Sequence, residues 1–110
     1  MTECVLVYMT ASSAAEAEQL ATGLLDKGLV ACVNIYPAMI SMYRWQGRVQ
    51  RDSEVALIAK TQRDQVAAVE AWIVQQHSYE CPCVIALPIQ AGHAPFLQWL
   101  TDQTQTAEQG

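Results

Sequence analysis

Residues 30–61 read VACVNIYPAMISMYRWQGRVQRDSEVALIAKT, and this stretch decides the fold. Val30 to Tyr43 is a long run of apolar, β-branched and aromatic side chains. Pro37 inside it implies a bulge or an edge position, because proline removes a ladder N–H. Gln46-Gly47 is a turn signal, the glycine supplying the positive φ of a tight hairpin. Val49 to Thr61 returns as a second long strand centred on Glu54-Val-Ala-Leu-Ile-Ala-Lys60. The two runs predict a long β-hairpin whose tip carries Tyr43, Arg44, Trp45 and Arg48.

Upstream, Cys4 to Met9 is a short β-rich run. Ser13 and Glu16 fit a capping box, in which the hydroxyl takes a free helix-end N–H and the carboxylate reaches back. Ala17, Leu20, Ala21, Leu24 and Leu25 recur at helical spacing, and Gly28 suits the left-handed residue that ends a helix. A helix is expected over residues 14–27. Downstream, Thr61 and Asp64 are candidate caps for a helix with a buried stripe of Val66, Val69, Trp72 and Ile73. Cys83 to Ile89 predicts a fourth strand and Gly92 a turn. Pro95 suits the first turn of a short helix carrying Phe96, Trp99 and Leu100. Residues 101–110 read as a polar tail. The order β-α-β-β-α-β-α within residues 1–110 is one α+β domain, the ferredoxin-like plait: four antiparallel strands with two helices on one face.

Such a sheet should alternate apolar and polar residues. Leu6-Val7, Val55 to Ala59 and Val84 to Leu87 are apolar on both faces instead. A second copy of the chain is the simplest cover for the face the two helices leave bare, so the strands predict a homo-oligomer. Composition bounds the rest. A net charge of −5 with six scattered basic residues argues against nucleic acid. The longest apolar region, residues 29–43, is shorter than the ~20 residues of a membrane span. Met1-Thr2-Glu3 carries no basic signal-peptide region, which makes the cytoplasm the expected compartment. The four cysteines lie in apolar runs without a C-x-x-C pair, so packing is the expectation for each.

His77-Ser-Tyr-Glu-Cys-Pro-Cys83 concentrates the reactive chemistry where a helix gives way to a strand. His77 is either a metal or acid–base imidazole or a helix C-terminal tie, and Glu80 is a partner to orient it. Cys81 and Cys83, flanking Pro82, would share one face and suit a soft cation such as Cu(I), but packing at the strand entry is the preferred reading. Tyr43, Trp45 and Tyr79 would line an aromatic cleft between subunits. The sequence has no nucleophile elbow, phosphate loop or glycine fingerprint, so no enzyme is expected.

Leu29-Val-Ala-Cys-Val-Asn-Ile35, Tyr43-Arg-Trp-Gln-Gly47, Glu54 to Thr61, His77-Ser-Tyr-Glu-Cys-Pro82, Ala86-Leu-Pro-Ile89 and Phe96-Leu-Gln-Trp-Leu100 occur in an order that resembles the CutA family of divalent-cation tolerance proteins. The resemblance implies a homotrimer and a role in copper and heavy-metal tolerance through cation binding, with copper or another divalent cation as ligand. Carried over to this chain, it places metal ligands at Met9 and His77, with Glu80 nearby, and a polar cleft at Lys60, His77, Tyr79 and Glu80. A second His is replaced by Gln76, and a Pro by Ser78. The alternatives are a trimeric small-ligand sensor of the PII type, with Tyr43, Trp45, Lys60 and Tyr79 in its cleft, and a structural trimer that presents a surface to a partner protein.

Overall fold

In a computed structural model, which describes residues 3–104, the chain runs β1 (Cys4–Ala11), α1 (Ala14–Asp26), β2 (Cys32–Trp45), β3 (Arg48–Gln62), α2 (Val66–Gln76), β4 (Val84–Pro88) and α3 (Ala94–Gln103). The strands form one antiparallel sheet of order β2-β3-β1-β4, the topology of the expected ferredoxin-like plait. Its long hairpin stretches the molecule to 43 × 27 × 23 Å.

Local chemistry sets the element ends. The Ser13 hydroxyl accepts the Glu16 N–H at 3.1 Å and caps α1. The Glu16 carboxylate reaches one residue further back than a capping box requires, accepting from the Ser12 N–H at 2.9 Å and the Ser12 hydroxyl at 2.8 Å. Gly28 closes α1 at φ 70°, with its N–H on the Leu25 carbonyl and that of Leu29 on the Leu24 carbonyl. These two bonds make a Schellman motif. The β2–β3 turn is two residues, Gln46 at φ 51° and Gly47 at φ 79°, between the paired Trp45 and Arg48. Pro37 and Ala38 form a bulge in β2, which is also an edge strand: the ladder passes from Tyr36–Ala56 to Met39–Glu54, and Ala38 lies at φ 60°.

The start of α2 differs from expectation. A 3-10 turn, Arg63–Gln65, leads into it, and no side chain caps its N-cap residue, Gln65. The Thr61 hydroxyl donates to the Leu29 carbonyl at 2.6 Å instead, tying β3 to the loop after α1.

Val5, Val7, Met9 and Ala11 of β1 meet Val55, Leu57 and Ala59 of β3 on the helix-covered face, against Ala17, Leu20, Leu24, Val69 and Ile73. Burying a large side chain of this kind contributes roughly 1.5–3 kcal/mol. The opposite face is not wholly bare, as the strand pattern alone suggested. Helix α3 covers one end of it, with Leu100 fully buried and the Gln62 amide donating to the Thr104 hydroxyl at 2.7 Å. The expected polar tail therefore begins later than residue 101: Thr104 is buried, and residues 105–110 lie outside the described residues. The remainder of that face stays open, with Tyr36 67 %, Ile85 55 % and Leu87 47 % exposed.

Candidate functional site

The β1–β4 ladder stops at Met9–Val84, and one residue further on the Thr10 carbonyl takes a side-chain donor in place of a strand partner. That donor is His77, the C-cap of α2, with Nε2 2.7 Å from the Thr10 oxygen. The other ring nitrogen, Nδ1, accepts the Tyr79 N–H at 3.0 Å. The bonds fix the tautomer, proton on Nε2 and lone pair on Nδ1. The ring has no exposed surface and packs on the Tyr79 ring at a centroid distance of 4.6 Å.

Glu16 fastens the same corner from the side of α1. Its second oxygen accepts the Ser78 N–H at 2.9 Å. Burial acts to raise its carboxyl, but the hydrogen bonds from Ser12 and Ser78 prevail and hold it at about 2, below the ordinary 4.5. A carboxyl lowered by folding contributes stability that is complete above pH 4.5 and is lost as pH falls toward 2. The denaturation midpoint of the wild type should therefore decline through that window, and Glu16→Gln should flatten the decline. Identical pH profiles for the two proteins would remove Glu16 from the clasp.

Beyond the corner, Tyr79 turns its hydroxyl onto the open face of the sheet and donates to Glu54 at 2.8 Å. A cleft of about 500 Å³ lies there, lined by Thr10, Ser41, Tyr43, Trp45, Glu54, Tyr79, Glu80, Cys81 and Cys83 among others. Its floor follows the sheet order, with Ser41 and Tyr43 from β2, Glu54 from β3, Thr10 from β1, and Cys83 just ahead of β4. The Tyr43 hydroxyl donates to Asp52. Burial, then the Glu54 bond and charge, push the Tyr79 phenol above its ordinary range, and the Asp52 bond raises Tyr43. Both phenols therefore stay protonated donors to carboxylates. Burial and the Glu54 charge raise the Cys83 thiol as well, which keeps it from being an activated nucleophile.

The cleft collects four of the six residues expected in it: Tyr43, Trp45, Tyr79 and Glu80. His77 stands behind its wall as a structural tie. Lys60 is six residues along β3 from Glu54, about 20 Å at strand rise, and binds the Asn34 side chain at 2.6 Å. The three residues expected as metal ligands do not converge. Met9 is fully buried between sheet and helices, both His77 nitrogens are engaged, and Glu80 is exposed at the cleft. Among the described residues, no group of three or more His, Cys, Asp or Glu is disposed to hold a metal. The four cysteines, all free, also depart from the packing expectation: Cys81 is exposed and the other three are half-buried. Glu54 and Asp52 escaped the sequence reading, and Glu16 was read only as a helix cap, because each acts on a partner distant in the chain or across the ladder. The one available signal was the Asp52-Ser-Glu54 pair of acids ahead of an apolar run.

The family described as CutA1 divalent ion tolerance protein matches residues 5–103. A divalent-cation tolerance protein CutA of Archaeoglobus fulgidus is 40 % identical over 99 residues, covering 90 % of this chain and 96 % of that one. The human protein CutA is 37 % identical over 90 % of this chain, which spans 55 % of that relative's length. The crystal structure of CutA1 from Oryza sativa superposes with a TM-score of 0.92 at 38 % identity, covering 94 % of this chain and 95 % of that one. Sequence and backbone thus agree from the first strand to the last helix, and the chain belongs to the CutA1 divalent ion tolerance family.

Proposed function

We propose that this chain supports tolerance to copper and other divalent cations as a homotrimer, by weak cation binding in the cleft and without catalysis. The carrying observation is that Glu54 and Glu80 both line the cleft, with Asp52 beside it on Tyr43, in a chain of net charge −5. Carboxylate oxygens suit divalent cations, and a concave acidic wall concentrates them. The open apolar remainder of the sheet supports the trimer, because a second copy would remove it from water.

Calorimetric titration with Cu(II) and Zn(II), wild type against a Glu54→Gln, Glu80→Gln double variant, tests the reading. The double variant is expected to lose most of the binding heat, and equal heats would overturn it. Sedimentation of the same samples should give three times the 12.1 kDa subunit mass. A folded monomer would refute the trimer.

A small-ligand sensor is the second reading, favoured by the cleft's size and its aromatic walls, Tyr43, Trp45 and Tyr79. Its carboxylates favour an organic cation over an anionic nucleotide. Thermal-shift screening with amines and nucleotides separates it from the first reading, since metal salts alone would then leave the melting temperature unchanged.

A further inference from the structure

We propose that Cys81 and Cys83 form a two-thiolate site for a soft cation of the Cu(I) class at the β4 side of the cleft. The inference rests on the cation-tolerance reading and names the cation that the thiol wall would take.

Placement comes first. Both cysteines line the cleft, one on each side of Pro82. Val84, the first residue of β4, pairs with the buried Met9. Alternation from Val84 puts Cys83, the residue just ahead of β4, on the opposite, open face, and Cys81, in the bend before Pro82, lines the same cleft. Cys81 is exposed and Cys83 half-buried, so one thiol meets solvent while the other sits deeper. The remaining two cysteines are elsewhere: Cys4 begins β1 against Thr101, and Cys32 begins β2.

Coordination number then selects the metal. Tetrahedral Zn(II) takes four protein ligands in a structural site and three in a catalytic one. No such group exists among the described residues, and His77 has no free nitrogen to add. Cu(I) and Ag(I) accept linear coordination by two sulfurs, and thiolates select them over harder cations. A site with two thiols is therefore complete for one class of ion and deficient for the other.

The local field agrees. Glu54 lies close enough to Cys83 to help hold its thiol protonated, after burial. A bound cation would reverse that influence, because the carboxylate then faces a positive centre. The step needs no redox partner: Cu⁺ replaces two thiol protons, which pass to solvent, and leaves a bis-thiolate complex of charge −1. Until then the Cys83 thiol resists oxidation, since the thiolate is the reactive form.

The test uses the reduced full-length protein without oxygen, titrated with Cu(I) supplied as its acetonitrile complex, against bathocuproine disulfonate as competitor. One Cu(I) per subunit should withstand the competitor, and Cys81→Ser or Cys83→Ser should each abolish it. A Cys4→Ser, Cys32→Ser variant should retain it. Ag(I) should also shield Cys81 and Cys83 of the wild type from iodoacetamide, read by mass spectrometry, which needs no variant to fold. Stoichiometric Cu(I) in both single variants, or shielding of Cys4 and Cys32 instead, would overturn the site. Loss of Cu(I) retention with Cu(II) and Zn(II) heats still dependent on Glu54 and Glu80 overturns the thiol site alone. Retained Cu(I) without those heats overturns the carboxylate reading alone.

Discussion

Gly23→Ala is expected to destabilise the protein by about 2 kcal/mol, although alanine is the better helix former. A Cβ at Gly23 would lie 2.2 Å from two ring carbons of Trp72, well inside contact distance. Gly23 sits in α1 and Trp72 in α2, so the absent side chain lets the helices approach. Trp72 packs against the core and is held in place. Overpacking of this kind costs about 3 kcal/mol at its upper range, and the gain in helix propensity returns about 1. Denaturant midpoints at fixed protein concentration measure the difference. Adding Trp72→Ala should make the alanine at 23 harmless, a coupling a double-mutant cycle reads directly. A Gly23→Ala protein as stable as wild type would show that the indole moves freely.

His77→Ala should cost about 2–4 kcal/mol in the presence of a chelator. The substitution orphans the Thr10 carbonyl and the Tyr79 N–H together, and an unsatisfied buried group costs about 1–3 kcal/mol. Tyr79 also loses its stacking partner, which loosens its grip on Glu54. His77→Gln should recover part of the loss, because its amide can still donate to Thr10 while Tyr79 stays unpaired. A metal ligand would behave in the opposite way: unaltered stability without metal, and binding abolished. Chelator-treated unfolding midpoints for the three proteins distinguish the two roles.

What the sequence made legible was governed by neighbours along the chain. The Gln46-Gly47 turn, the Ser13 cap and the Gly28 stop depend on residues a few positions apart, and each formed at its place. The doubly apolar strands gave the right warning about the second face. They could not reveal that α3 covers one end, because Gln62 and Thr104 meet only after folding. Thr61 shows the limit most clearly. Its hydroxyl suits a cap, but a carbonyl 32 residues away bound it first. The site followed the same rule. Tyr43, Trp45, Tyr79 and Glu80 were readable as chemistry near a turn or corner, whereas the bonds Glu16–Ser78 and Tyr79–Glu54 span 62 and 25 positions. His77 was read as the sharper ligand because imidazoles bind metals, and its two nitrogens were spent on backbone groups no periodicity encodes.

The bulge at Pro37-Ala38 works as a parity switch. Before it, even-numbered residues of β2, Asn34 and Tyr36, stand opposite Ile58 and Ala56. After it, odd-numbered Met39, Ser41 and Tyr43 stand opposite Glu54, Asp52 and Gln50. One extra residue therefore changes the numbering of the open-face side chains without changing the face they occupy. Deleting Ala38 would leave Pro37 alone opposite Val55 and keep Tyr43 opposite Gln50 and Trp45 opposite Arg48, so the same side chains would still face the cleft. The arm can thus absorb a one-residue change of length at this point and keep its cleft, a tolerance that no inventory of its residues would reveal.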